Sequence, residues 1–425
     1  MGGGLLQLVA YGAQDAYLSG NPQITFWKGL FKRHTNFAME PFRVNLTGQA
    51  NWGVKHSAIL PRHADLLYST YLEVVMPPGA VVNCDRGRLG YNLIKYVELD
   101  VGGQQIDRLY GEWLYLWDAL TSDYTASAKL FYMVNGVSGT GSQSIPAQTQ
   151  CNSGTGRPSL PTVLYIPLTF FYTRNPGAAL PLIALQYHEV KINIQWQSAE
   201  FVKGDFTSTT TLPPPVQAAI YVDYIYLDVE ERRRMSQESH EYLIEQTQYN
   251  EDKGISSYNN RIDLTFNHPV KELVWVVQPT SYTNCAISKA FSGTRLQPFT
   301  YDQNVVYKQR LQINGQDRLE DRFGDYFNKV QAYQHHTGTT NTFGDSLPAG
   351  QSGVYMYSFA LRPEEHQPSG TCNFSRIDTA TIAMELAGNI DINPDQDKTY
   401  DVRVYAVNYN ILRIMSGMAG LAYSN

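Results

Sequence analysis

Asp391, Asn393, Asp395 and Asp397 stand at the alternate positions with which a calcium loop opens. The rest of such a loop is missing. Pro394 sits inside it, Gln396 takes the glycine position, and Val402 stands where the closing glutamate belongs. The stretch reads as a solvated turn. Gly139-Thr140-Gly141 and Gly154-Thr155-Gly156 supply glycines, but no P-loop lysine and no helix start follow, so they cradle no phosphate. No G-x-S-x-G elbow and no H-E-x-x-H occurs. His188-Glu189 and His335-His336 are the histidine clusters worth naming. Neighbouring side chains on a strand point to opposite faces, so neither pair aims two ligands at one metal. Cys84, Cys151, Cys285 and Cys372 lie far apart without a C-x-x-C pair, which excludes a zinc ribbon or disulfide framework and suits free thiols in a reducing compartment. The chain therefore offers no catalytic residue, metal site or cofactor site.

Other candidates are equally bland. Glu230-Glu231-Arg232-Arg233-Arg234 mixes both signs, as a solvated or subunit-facing strand end does. Net charge is -6, from 33 basic and 39 acidic residues, which argues against coating nucleic acid. Asn45-Leu46-Thr47 and Asn373-Phe374-Ser375 fit the N-glycosylation sequon. Met1-Gly2 opens a myristoylation pattern, but Leu6 replaces its Ser or Thr. No apolar run approaches the roughly 18 residues that span a bilayer, and residues 1–8 lack the basic start of a secretory signal.

Alternation dominates the elements that would carry any site. Lys191–Trp196, Arg261–Phe266 and Asp401–Ala406 place apolar and polar side chains on opposite faces, predicting strands with one face in a core and one face wet. Leu66–Met76 alternates less cleanly and stops at Pro77-Pro78-Gly79. The 30 tyrosines favour pleated, half-buried surfaces and interfaces. Helical spacing is confined to Trp113, Leu116, Trp117 and Leu120, and to Phe323, Phe327 and Val330, both short enough to be connections across a sheet end. Turn-rich segments at 134–161, 207–215 and 337–353 separate the strands. The pattern predicts an all-β protein of sandwiches with elaborated loops.

The 425 residues suit two domains, and the halves resemble each other. Leu99-Asp100-Val101-Gly102-Gly103-Gln104 matches Leu311-Gln312-Ile313-Asn314-Gly315-Gln316, with Arg108 and Arg318 following and a helical stretch after each. Val74-Val75-Met76-Pro77 matches Val276-Val277-Gln278-Pro279, and Arg233-Arg234-Met235-Ser236 matches Arg413-Ile414-Met415-Ser416. The order is the same throughout, which predicts one sandwich present twice. The polar, charged stretch between Ser236 and Gly254 reads as the linker. Expected boundaries are 1–36 for an N-terminal arm, 37–236 for the first sandwich, 237–253 for the linker and 254–425 for the second sandwich. The arm carries Leu, Val, Tyr, Ile, Phe and Trp without a clear period and ends in Phe31-Lys32-Arg33-His34. Such a segment reads as an arm that packs against another surface, since an exposed apolar segment would aggregate, with an extra edge strand of the first sandwich as the alternative.

Leu8-Val9-Ala10-Tyr11-Gly12-Ala13-Gln14-Asp15, Gly20-Asn21-Pro22-Gln23-Ile24-Thr25-Phe26, Arg33–Ala38 and the ending Arg413–Asn425 resemble the major capsid proteins of large icosahedral DNA viruses, the chlorella-virus type above all. The resemblance runs from end to end. It implies two tandem eight-stranded antiparallel jelly rolls, and homotrimers that stand as pseudo-hexagonal capsomers in the outer shell of a virion assembled in host cytoplasm. It implies neighbouring capsomers, minor capsid and penton proteins as partners, and an internal membrane near the arm. Tyr11, Gln14, Asp15, Asn21, Pro22, Phe26, Trp27 and Arg33 would make the arm's contacts on the capsid interior. Outer loops carry glycans in some members, with Asn45 and Asn373 the sequons here. It implies no enzyme, cofactor or sequence-specific nucleic-acid binding. The competing readings are a minor capsid or paralogous capsomer protein, and a jelly-roll glycan-binding or glycan-processing protein, which would need paired carboxylates in a cleft.

Overall fold

Alternation in the sequence becomes alternation in burial. Val190–Trp196 buries every second side chain, and Leu66–Met76 buries Leu72 and Val74 completely while Tyr71, Glu73 and Val75 lie outward. The structure, a computed structural model, describes residues 2–27, 29, 31–77, 89–135, 162–203, 212–280, 305–338, 354–386 and 399–423. Asp391–Asp397, both Gly-Thr-Gly loops, and Cys84, Cys151 and Cys285 lie outside the described residues. Residues 1–37 form one unit and residues 38–425 a second.

The first half of the larger unit contains strands β1 (Phe37–Asn45), β2 (Lys55–Leu60), β3 (Leu66–Met76), β4 (Ile94–Val101), β5 (Gln104–Tyr110), β6 (Thr162–Pro167), β7 (Leu180–Pro181), β8 (Val190–Trp196) and β9 (Gln217–Leu227). The second contains β10 (His240–Ile255), β11 (Asn259–Asp263), β12 (Pro269–Pro279), β13 (Val306–Ile313), β14 (Gln316–Asp317), β15 (Arg322–Phe323), β16 (Val354–Ser358), β17 (Cys372–Asn373), β18 (Ala380–Leu386), β19 (Tyr400–Met415) and β20 (Met418–Leu421). One sheet runs β1-β9-β3-β6 and its companion β2-β8-β4-β5; in the second half the orders are β10-β19-β12-β16 and β11-β18-β13-β14. The two pairs of sheets match strand for strand. Each half is an eight-stranded jelly roll, with β7, β15, β17 and β20 as additions.

The repeated Gly turns are hairpins of one kind. Gly102-Gly103 joins β4 to β5 and Asn314-Gly315 joins β13 to β14, with two-residue loops and positive φ at both central positions. Type I′ turns demand that, which explains the glycines. The repeat departs from expectation at two places. Arg233–Met235 lies in the helix Val229–Gln237, whereas Arg413–Met415 ends a strand. Val74 faces the interior of its own roll, but Val276 faces out of its roll, so the sequence match is one residue out of phase with the sheet faces.

The structure differs from the sequence pattern at three further places. Residues 240–255 are no linker: β10 pairs antiparallel with β19 from His240 opposite Ile414 to Ile255 opposite Tyr400. Its polar residues mislead because Glu245 and Thr247 are buried with partners. β19 has no wet face over Tyr400–Asn410, because its sheet is buried on both sides. Val402, Val404 and Ala406 fill the second roll's own core, while Tyr405 and Val407 join a core continuous with the first roll. The strand at Arg261 ends at Asp263, short of Phe266. The helix Gly111–Thr121 holds the expected Trp113, Leu116, Trp117 and Leu120; in the second roll Phe323 pairs as a strand, and a π-helix (Tyr326–Val330) runs into a helix (Gln331–His335).

Candidate assembly surfaces

Much of the buried polar chemistry among the described residues sits in the seam between the rolls. The helix Gly111–Thr121 starts flush against the first roll because Gly111 has no side chain: a Cβ there would lie 2.2 Å from the Ile94 carbonyl oxygen. That start aims Glu112 and Trp113 at the outer face of the β10-β19-β12-β16 sheet. Arg403 of β19 donates to Glu112 from Nε at 2.6 Å and from Nη2 at 2.8 Å, and the Tyr405 hydroxyl donates to Glu112 at 2.6 Å. Arg403 also donates to Gln278. Trp113 packs on Tyr405 at 5.3 Å between ring centroids, and Tyr110 on Tyr249 at 4.5 Å. Burial and the Glu112 charge push the Tyr405 phenol far up, so it serves as a donor.

Three more charged groups continue the seam. Glu245 accepts from Arg174 at 2.7 Å and from Lys271 at 2.7 Å. Burial alone would raise the Glu245 carboxyl; the two cations outweigh it and hold it low. Arg174 also lies 4.2 Å from the Trp117 ring centre. His336 lies buried between Glu272 at 2.9 Å and Glu364 at 2.8 Å. Burial opposes its charge, but the two carboxylates win and raise its pKa to about 9. Beside it, Thr337 and Gly338 bond the carbonyls of Thr121 and Leu120 in the first roll. Asp107 accepts the Thr247 N–H at 3.1 Å, and burial raises its carboxyl to about 6.

The C-terminal motif closes the seam. β19 turns at Ser416-Gly417, both with positive φ, into β20. The Gly417 carbonyl accepts from Tyr187, the His188 Nδ1 accepts from Ala419, and Gln104 accepts from Leu421, all reaching into the first roll. Gly102 admits this arrangement, since a Cβ there would lie 2.3 Å from His188 Nδ1.

Of the charged seam residues the sequence draws attention to His188 and His336 alone, as histidine clusters without a metal, and it leaves Glu112, Arg403, Glu245, Arg174, Lys271 and Asp107 unmarked. A signal existed: Lys271-Glu272 and Arg403 are charges inside otherwise apolar strands, which burial permits only with partners. His335 and His336 end a helix and its cap, and not a strand. Among the described residues no group of three His, Cys, Asp or Glu could hold a metal ion.

The predicted arm residues fall in the smaller unit, with the helices Gly3–Val9 and Ala16–Ser19. Asp15 accepts the Gly12 N–H at 2.7 Å, and Ser19 donates to the Asp15 carbonyl and to Tyr11. The motif thus builds a local turn. Asn21 adopts positive φ. Tyr11, Gln14, Asn21, Pro22, Phe26, Trp27 and Arg33 are exposed, Phe26 fully so. Both sequon asparagines are exposed. Asn373 accepts the Ser375 N–H, and the Ser375 hydroxyl accepts from His268. The Thr47 hydroxyl bonds the Ser57 carbonyl.

Two jelly rolls in tandem, joined by an interior seam, define the double jelly-roll fold. Residues 25–228 match the model for the major capsid protein N-terminus, and residues 231–420 that for the large eukaryotic DNA virus major capsid protein. The chain belongs to this family of major capsid proteins. It is 45% identical to the major capsid protein of Pyramimonas orientalis virus and 39% identical to that of Paramecium bursaria Chlorella virus 1, in each case over 100% of both chains. A quasi-atomic model of the PBCV-1 virus capsid matches with a TM-score of 0.77 at 34% identity, covering 94% of this chain and 100% of that one. The Faustovirus major capsid protein shares the fold, with a TM-score of 0.66 at 11% identity. The protein is a viral structural protein of the capsid shell, and neighbouring capsomers are its partners.

Proposed function

We propose that three copies of this chain close into one capsomer, and that this trimer is the unit that tiles the shell. The observation that carries the reading is the same jelly roll built twice with a buried seam between the copies. Three such chains present six similar rolls around one axis, a near-hexagonal outline from a threefold assembly. The role is structural and not catalytic. Residues 1–36 act as an arm on the capsid interior, where minor capsid and penton proteins and the internal membrane lie. Its exposed Tyr11, Phe26 and Trp27 provide the apolar contacts, and Gln14, Asp15, Asn21, Pro22 and Arg33 shape its turns and polar contacts. Synthesis and assembly take place in host cytoplasm. Asn45 is the better placed of the two sequons, because Asn373 already caps its own helical turn. Sedimentation in dilute solution tests the reading: purified protein should run at three times its 47.9 kDa chain mass. A folded monomer at micromolar concentration would sink it.

A further inference from the structure

The seam inside the chain leaves two surfaces without their counterparts. In the second roll, the outer face of β10-β19-β12-β16 is covered by the helix that follows β5 of the first roll. The equivalent face of the first roll, on β1-β9-β3-β6, carries a tyrosine cluster. Tyr71 stacks on Tyr221 at 5.3 Å and meets Tyr165 edge-on at 6.0 Å, with Glu73 and Asp223 in the same strands. Tyr165 keeps 37% of its surface exposed. The second roll has its own copy of the covering segment. Gly324 presses on the carbonyl of Val306, the first residue of β13, as Gly111 presses on that of Ile94, the first residue of β4. After Gly324 comes the helical stretch Tyr326–His335, in the position of Gly111–Thr121. Around it Tyr307, Phe323, Val330 and Tyr333 are exposed, Tyr333 at 89%. Lys308 lies over the Phe323 and Tyr307 rings, and Arg322 over Tyr326; Asp321 and Asp325 answer Arg310 and Lys329.

We infer that the segment Tyr307–His335 of one chain docks on the Tyr71-Tyr165-Tyr221 face of a second copy, repeating between chains the seam made within each. The inference rests on the trimer reading and names its surfaces. A contact between two different patches is head-to-tail, and it closes into a ring when the rotation allows. Here each roll covers the next, and the sixth covers the first. The charges are complementary, with Glu73 and Asp223 on the sheet and Lys308 and Arg322 on the docking segment. Aromatic residues at the centre of such a patch carry most of the binding.

Two variants test it on the full chain. Tyr221→Glu places a charge in the centre of the sheet face and should raise the concentration at which trimers dissociate by about tenfold or more, with circular dichroism unchanged. Replacing Tyr221 by photoreactive benzoylphenylalanine keeps an aromatic ring there. Illumination should give covalent dimers and trimers whose linked peptides fall within residues 305–338 of another copy. Links to residues 1–37, links to the same sheet of another copy, or no links in a sample that sediments as a trimer would overturn the inference and leave the trimer reading intact. A wild-type chain that never leaves the monomer would remove both.

Discussion

Removing the Glu112 carboxylate should destabilise the protein more than removing the whole ion pair. Glu112 receives three hydrogen bonds, two from Arg403 and one from Tyr405, and both charged side chains are about nine-tenths buried. Truncating one partner of a buried pair leaves the other charge in a low-dielectric seam, at a cost of about 3–5 kcal/mol. Glu112→Leu and Arg403→Met should each fall in that range. The double variant Glu112→Leu/Arg403→Met removes both charges and keeps apolar volume against Trp113. Its cost should be smaller than that of either single variant, about 1–3 kcal/mol, because the buried Tyr405 hydroxyl and Gln278 lose their bonds to the pair but no unpaired charge remains. The coupling energy should thus be several kcal/mol. Urea unfolding at fixed protein concentration measures it, followed by tryptophan fluorescence, since Trp113 packs on Tyr405 and reports the seam directly. Additive single effects, or single variants costing under about 1 kcal/mol, would refute the assignment of this pair as the polar centre of the seam.

Three other outcomes follow from the same contacts. His336 has a folded pKa of about 9 against an ordinary 6.5, so its contribution is fully present below about pH 6.5 and lost as pH rises through 9. Thermal melts from pH 7 to 10 should show that loss in wild type, and His336→Gln should flatten it. Asp107 has a folded pKa of about 6 against 3.8, so its contribution is present below about pH 4 and lost as pH rises through 6. Asp107→Asn keeps the acceptor for Thr247 and should match or exceed wild-type stability at pH 7 while removing this acid-side gain, as melts between pH 4 and 7 would register. Gly417→Ala combines positive φ with a Cβ 2.6 Å from the Tyr187 ring and should destabilise by about 2 kcal/mol, whereas at Gly420 the nearest atom is 3.5 Å away and alanine should be tolerated, a contrast that paired melting curves would expose.

Much of this protein was legible in its residues. Alternation at Lys191–Trp196 and Leu66–Met76 fixes strands and faces, because side chains on a strand repeat every two residues and water sorts them. The paired Gly turns mark type I′ hairpins, because only glycine and a few polar residues tolerate their backbone. The two halves and the terminal motifs pointed to the double jelly roll and its family. Tertiary structure alone decided which faces meet. β10 looked like a linker because Glu245, Gln246 and Thr247 are polar, and nothing local says that Arg174 and Asp107 wait for them across the seam and Lys271 two strands away in their own sheet. β19 alternates as if half wet, yet it is buried on both sides, since burial of its second face depends on another domain. The same physics explains why no reaction site was found while the seam went unseen. A catalytic motif is a local spacing, whereas the partners Glu112 and Arg403 stand 291 residues apart and meet only after two sandwiches have folded and closed on each other.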